Sequence, residues 1–269
     1  MKTTKPLNEQ IWLSVFLVVI LYVVVLIVPQ IIMGALGVPD PASDLINFVI
    51  YSIFWFVLVP FGLRLPNKVS SVRAYISDIQ LSNLKPLGRL IILGVGLGGL
   101  FLLILAVSSF LMGSFSLNIR RIMPPESWKL LYGNIGAFFE EVAIRGVILI
   151  LLLKRYDKTK AVFFSAFLFG IGHIIGFFLG NDLVSSVIQV LYAFCLGVLF
   201  AALVIKTNSL LPGIIAHMII NSFSDVFFSA LDLKDLSYLI LIVSILTTLL
   251  GLFILKYIPG NTNDTNQNH

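Results

Sequence analysis

Long apolar stretches recur along almost the whole chain, and they constrain its fold more than any other feature. About eight of them approach the ~20 residues that a helix needs to cross a bilayer. Because lipid cannot hydrogen-bond a peptide group, each stretch must satisfy its backbone internally, as a helix does. The sequence therefore predicts an all-α, polytopic membrane helix bundle of about eight transmembrane helices, near 11–34, 45–63, 87–112, 130–153, 161–180, 183–205, 209–230 and 236–257.

Composition and loop length predict a single membrane domain. Only 12% of the residues are charged, whereas soluble domains carry about 25%. The connections between the apolar stretches are short, so no extramembrane domain is expected. We predict one domain over 1–269, with three N-terminal spans in 11–112, core spans in 130–230, a last span at 236–257 and a disordered polar tail at 260–269.

The net charge of +5 is interpreted as a signal of topology. Lys and Arg recur in alternate connections, and cytoplasmic loops are enriched in these residues. This pattern predicts a multi-pass protein of the cell membrane with both termini in the cytoplasm and no nucleic-acid partner, although Arg120, Arg121 and Lys129 depart from it. The only cysteine, Cys195, excludes an intramolecular disulfide and a cysteine-based zinc cluster.

Three charged residues interrupt the apolar stretch 130–153. They are Glu140, Glu141 and Arg145. A charge at the centre of a membrane helix costs roughly 2.5–3.5 kcal/mol, so these side chains must find partners inside the bundle, and an intramembrane ionisable residue suggests a functional site. Glu141 and Arg145 are four residues apart, which predicts an ion pair on one helix face.

Polar side chains in two other spans are the candidate partners of Glu140. His173 lies in the fifth predicted span, four residues after Phe169, and His217 lies in the seventh, four residues before Asn221. At ~1.5 Å per residue, Glu140, His173 and Asn221 lie ~16–20 Å from the predicted cytoplasmic ends of their spans. That depth is near the middle of a ~30 Å hydrocarbon layer. The sequence therefore predicts one joint site.

These motifs, in this order on apolar helices, resemble the CPBP or Abi family. The family includes CAAX prenyl endopeptidases and bacteriocin-processing or immunity proteins, and the resemblance covers about 130–225. The residues that carry it are Glu140-Glu141-x-x-x-Arg145, Phe169-x-x-x-His173 and His217-x-x-x-Asn221. The first three spans match the family only in hydrophobicity and number.

The resemblance implies an intramembrane endopeptidase and a role for each motif residue. Glu140 would activate the hydrolytic water with help from His173, while His217 and Asn221 would stabilise the oxyanion. The implied supporting residues are Glu141, Arg145 and Phe169. The implied partner is a membrane-embedded or lipidated peptide or protein within the bilayer.

A metal-dependent alternative uses the same residues. Glu140, His173 and His217 would supply three ligands to zinc, with water in the fourth position. The usual His-Glu-x-x-His zinc signature is absent from the sequence. The sequence leaves the metal-dependent and the metal-free glutamate mechanisms open, and it indicates no other cofactor.

Two other classes of function use similar residues. Intramembrane Glu and His also form proton relays in transporters, but broken helices and repeated halves, which are typical of transporters, are not evident in the sequence. A non-catalytic bacteriocin immunity or membrane regulatory protein would use the same fold without hydrolysis. The Asn- and Lys-rich termini favour a bacterial source over a eukaryotic one.

Glycines in the third span match a nucleotide-binding pattern only formally. Gly94, Gly96 and Gly99 fit G-x-G-x-x-G, but no strand precedes them. Gly94 and Gly98 are instead four residues apart, which is typical of close packing between membrane helices.

Overall fold

The computed structural model describes residues 6–121, 134–227 and 233–258. It confirms the predicted all-α class. The predicted tail 260–269 and Lys129 lie outside the described residues. The helices are α1 Ile11–Ala35, α2 Asp40–Ile53, α3 Val72–Asp78, α4 Leu87–Leu111, α5 Ile135–Glu141, α6 Leu149–Leu153, α7 Lys158–Gly172, α8 Ile175–Phe178, α9 Leu183–Thr207, α10 Leu211–Phe223 and α11 Leu233–Tyr257.

Two π-helical segments extend this set. Phe54–Leu63 continues α2, and Val142–Ile148 joins α5 to α6. All seven residues of the second segment are buried. π-Helical turns are rare and occur frequently at functional sites. A π-helical segment directly after the two glutamates therefore supports a functional site in this part of the bundle.

Six helices in the described part of the chain are long and apolar enough to cross a membrane. They are α1, α2 with its π-helical continuation, α4, α7 together with α8, α9, and most of α11. The two remaining predicted spans do not meet this criterion. The α5–α6 segment carries three charged residues, and α10 has only 13 residues. Among the described residues, the predicted count of eight is therefore not confirmed, and the two exceptions are the elements that carry Glu140 and His217.

Two predicted spans differ in detail from the structure. The fifth span, predicted at 161–180, corresponds to the candidate span Lys158–Phe178, but a turn at His173 separates its helices α7 and α8. Glycine is unfavourable inside a helix, and three glycines lie within six residues of this turn. The seventh span was predicted to reach residue 230, but α10 ends at Phe223 and a short 3₁₀ turn follows.

The charge-bearing segment lies at the centre of the bundle. A large core cluster surrounds it, with contributions from α1, the π-helical continuation of α2, α3, α7 and α9. At one end, α3 closes the bundle with its buried Tyr75, and the buried Ile79 follows it. A Cβ on Gly146 would lie 3.2 Å from Cβ of Ile79 and 3.3 Å from Cδ1 of Leu210. The short loop helix and the start of α10 therefore approach the π-helical segment closely.

The predicted packing role of Gly94 and Gly98 is confirmed. Helix α4 packs along α10. A Cβ on Gly94 would lie 2.7 Å from Cβ of Ile215 and 2.8 Å from the carbonyl oxygen of Pro212, and one on Gly98 would lie 2.9 Å from Cβ of Ile219. No larger side chain fits at either glycine unless the two helices separate.

Replacing Gly94 by alanine is therefore expected to destabilise the bundle. The added methyl group would collide with α10, and overpacking of this kind costs about 1–3 kcal/mol. Gly96 supplies a matched control on the same helix, because a Cβ there would meet nothing within 4 Å. Thermal unfolding in detergent should show a lower midpoint for Gly94→Ala and an equal or higher one for Gly96→Ala. Equal midpoints for the two variants would contradict close packing of α4 on α10.

Candidate active site

A buried hydrogen-bonded network connects three elements at the centre of the bundle. Glu141 and Arg145 are fully buried, and Nη1 of Arg145 donates to Oε1 of Glu141 at 3.0 Å. The same carboxylate oxygen lies 3.0 Å from Nδ1 of His217 on α10. Nη2 of Arg145 donates to the carbonyl oxygen of Gly197 on α9 at 3.4 Å. The predicted ion pair is confirmed, and it also links the charged segment to α9 and α10.

Aromatic rings enclose this network. The guanidinium of Arg145 lies 4.2 Å from the ring centroid of Phe169 and 5.4 Å from that of Phe200. Phe200 also stacks on His217 at 5.2 Å. A cation over an aromatic face gains electrostatic stabilisation, especially where water is excluded. Phe169 was expected here, whereas nothing in the sequence separates Phe200 from the other phenylalanines.

The two adjacent glutamates have different environments. Glu141 is fully buried in the network, whereas the side chain of Glu140 is 25% exposed. Because Nδ1 of His217 donates to Glu141, its Nε2 is turned towards Glu140 and lies 3.8 Å from Oε2. Glu141 therefore positions His217, and Glu140 remains accessible.

His173 occupies the turn between α7 and α8. Its Nδ1 lies 2.9 Å from the carbonyl oxygen of Phe169, so this nitrogen donates and Nε2 is free of that bond. The ring also meets Phe169 edge to face at 4.8 Å. The interruption of the helix thus places a histidine, with a defined tautomer, at the end of α7. Hydrophobicity along this stretch did not predict the interruption.

Glu140 and His173 line the same cavity, which measures about 250 Å³. Helix α1 contributes apolar and aromatic side chains to its walls, and α7, α8 and the start of α9 contribute others. The remaining lining residues are Val19, Tyr22, Val23, Leu26, Ile144, Leu168, Phe169, Gly172, Ile175, Gly176, Asn181 and Gln189. The cavity is a mostly apolar cleft with a carboxylate, an imidazole and two amides.

Asn221 lies apart from the buried network. It is one helical turn beyond His217, as predicted, but its side chain is exposed whereas His217 is buried. It does not line the cavity. Within the described part of the chain, its amide makes no hydrogen bond. The structure therefore brings Glu140, Glu141, Arg145, Phe169, His173 and His217 together and leaves Asn221 at the edge of the group.

A comparison with protein families finds a match for the part of the chain that contains these residues. The sequence model of the family described as Type II CAAX prenyl endopeptidase Rce1-like matches residues 100–223. This stretch of the chain is similar to the CAAX endopeptidase family. The matched region contains every residue of the three motifs, and it ends with α10. No curated protein matches the chain. The resemblance found in the sequence is confirmed at the level of the family.

The zinc alternative requires three ligands at one point. Among the described residues, no group of three or more His, Cys, Asp or Glu side chains has the spacing of a metal site. The Nδ1 atoms of His173 and His217 already have partners, so only their Nε2 atoms could bind a metal. Glu140, His173 and His217 thus do not form a ligand set as they stand, and we derive no catalytic step through zinc.

Proposed function

We propose that the chain is an intramembrane endopeptidase that hydrolyses a peptide bond of a membrane-embedded or lipidated substrate. One observation carries this proposal: Glu140 and His173 line a single apolar cavity inside a helix bundle. The family match supports a protease of the CAAX type. The positions of the side chains suggest how such a protease would work.

Glu140 is the proposed general base. A water molecule in the cavity transfers a proton to its carboxylate while the water oxygen bonds to the peptide carbonyl carbon, and the carbonyl π electrons move to oxygen. His173 has Nδ1 bound to the Phe169 carbonyl, so its Nε2 can accept a hydrogen bond from the same water. When the carbon–nitrogen bond breaks, Glu140 returns the proton to the leaving nitrogen.

His217 and Asn221 are the proposed oxyanion donors. His217 has only Nε2 available, because Nδ1 donates to Glu141. The ring therefore donates to an oxyanion only when both nitrogens are protonated, and the neighbouring carboxylates of Glu140 and Glu141 can supply the compensating charge. Asn221 offers an amide without a partner within the described chain. We propose that bound substrate draws this amide towards the reacting carbonyl.

The cavity walls suggest how the substrate is bound. Val19, Val23 and Leu26 of α1 line the cavity together with Leu168 and Phe169 of α7. An apolar chain placed between these walls would be removed from lipid or water, with Glu140 at one side of it. A lipid group or an apolar side chain beside the scissile bond fits this arrangement.

A lipidated peptide is therefore expected to be cleaved faster than its unmodified counterpart. The assay uses the purified chain in lipid nanodiscs with two peptides of identical sequence, one of which carries an isoprenoid on cysteine. Mass spectrometry identifies the products. We expect at least about a tenfold higher kcat/KM for the lipidated peptide, because the apolar walls contribute binding only to it. Equal cleavage of both peptides would contradict the proposed role of the walls.

Removal of metal ions is expected to leave the activity unchanged. A water activated by Glu140 needs no Lewis acid, so dialysis against a chelator should not lower the rate. Metal analysis of the purified protein should give less than one equivalent of zinc. Loss of activity with the chelator and its recovery with added zinc would instead support the metal-dependent alternative.

A further inference from the structure

A groove at one end of the bundle is lined by lysines from three different helices. Lys158 begins α7, Lys206 lies in the last turn of α9, and Lys256 lies in the last turn of α11. The groove measures about 320 Å³ and shares no lining residue with the cavity that contains Glu140. Its chemistry is therefore separate from the candidate active site.

The floor of the groove is apolar. It is formed by Val162, Val198, Ala202, Ile205, Leu252 and Leu255. Ile205 and Leu255 directly precede Lys206 and Lys256, and the other four lie one or two turns from the lysines along the same three helices. The groove thus combines a cationic rim at the helix ends with an apolar surface that runs towards the middle of the bundle.

The described lining of the groove carries positive charge and no negative charge. It contains no Asp or Glu. Asp157, which immediately precedes Lys158, forms an ion pair with Lys160 at 3.0 Å and caps α7 by accepting from the Lys160 backbone. These contacts also hold the pKa of Asp157 below its usual value. Lys206 and Lys256 therefore give the rim a positive charge that favours an anionic partner, and Lys158 lies beside them.

We propose that this groove binds an anionic phospholipid, with its phosphate between the three lysines and one acyl chain along the apolar floor. A free phosphate would use only the rim, whereas a phospholipid matches both parts of the groove. The loop charges predict that this end of the bundle lies at the cytoplasmic leaflet. Anionic lipids of that leaflet attract basic clusters beside membrane helices. The proposal does not depend on proteolysis.

The test measures retention of phosphatidylglycerol by native mass spectrometry. Wild type is compared with Lys158→Gln/Lys206→Gln/Lys256→Gln and with a control triple, Lys68→Gln/Arg73→Gln/Lys85→Gln. The control removes the same charge from the connection that contains α3, on the same predicted side of the membrane. We expect the groove triple to bind the lipid at least about tenfold more weakly and the control triple to bind it as wild type does. Equal losses in both triples would overturn the proposal, because they would indicate a general surface charge effect.

A second variant tests the floor and keeps the lysines. Ala202→Phe fills the groove beneath the rim, and we expect a similar loss of lipid binding. Soluble glycerophosphoglycerol, which has the headgroup without acyl chains, should not compete with the lipid. Competition by this headgroup, or full binding by Ala202→Phe, would overturn the assignment to a phospholipid. Thermal unfolding in phosphatidylcholine nanodiscs verifies that each variant is folded. The groove triple and Ala202→Phe each test the groove independently of the other.

Discussion

Glu140→Gln should lose nearly all peptide-bond hydrolysis and keep its fold. The substitution preserves the size of the side chain and removes the base that accepts the proton from water. General base catalysis contributes about 10²–10⁴-fold, so a loss of that order in kcat is expected. The side chain of Glu140 is 25% exposed and lies 3.8 Å from Nε2 of His217. Its replacement therefore breaks no short hydrogen bond in the core.

The measurement is the rate of cleavage of the lipidated peptide at matched protein abundance, together with the thermal midpoint. Asp44→Asn provides a control that removes one carboxylate outside the cavity lining. We expect normal cleavage by the control and near-normal midpoints for both proteins. A Glu140→Gln protein that cleaves within a few-fold of wild type would show that this carboxylate is not the base.

Glu141→Gln and Arg145→Met should each destabilise the protein strongly. Both side chains are fully buried. In either variant, the residue of the pair that is not replaced would keep its charge without the charge of its partner. Removal of one partner of a buried ion pair costs about 3–5 kcal/mol. Arg145→Met also loses the contacts with the rings of Phe169 and Phe200. The expected result is a much lower thermal midpoint and a lower membrane abundance.

The double variant separates loss of the pair from loss of each residue. Glu141→Gln/Arg145→Met removes both charges, so it should be more stable than the sum of the single effects predicts. Lys160→Gln provides a control at an exposed ion pair, since the side chains of Lys160 and Asp157 are 66% and 55% exposed. That control should change stability little. Additive single effects in the double variant would contradict energetic coupling between Glu141 and Arg145.

The sequence predicted the fold class because long apolar stretches are a strong signal, and it predicted most of the candidate site because the site depends on rare polar residues in an apolar chain. Glu140, His173 and His217 stand out from their surroundings, and helical spacing correctly paired Glu141 with Arg145. The count of spans was less predictable. The count of spans rests on helix length and charge, and this criterion treats every helix as if it faced lipid. The α5–α6 segment and α10 instead pack against other helices.

The walls of the cavity were not predictable from the sequence. Val19, Val23 and Leu26 lie in an apolar helix whose residues look alike whether they face lipid or a cavity. Helical spacing placed His217 and Asn221 on one face but could not indicate which of them would be covered by neighbouring helices. The turn at His173 arises from the local glycines and from packing, and periodicity alone does not show it.

Proteolysis through Glu140 is tested most directly by comparing new peptide termini in membranes from cells that carry the wild-type chain and cells that carry Glu140→Gln at equal abundance. We expect a set of termini present with the wild type and absent with the variant, at sites beside membrane-embedded or lipidated segments. These termini would identify the substrate at the same time. If a wild-type phenotype persists with Glu140→Gln and the termini are identical, the chain acts without proteolysis, and the proposed function is wrong.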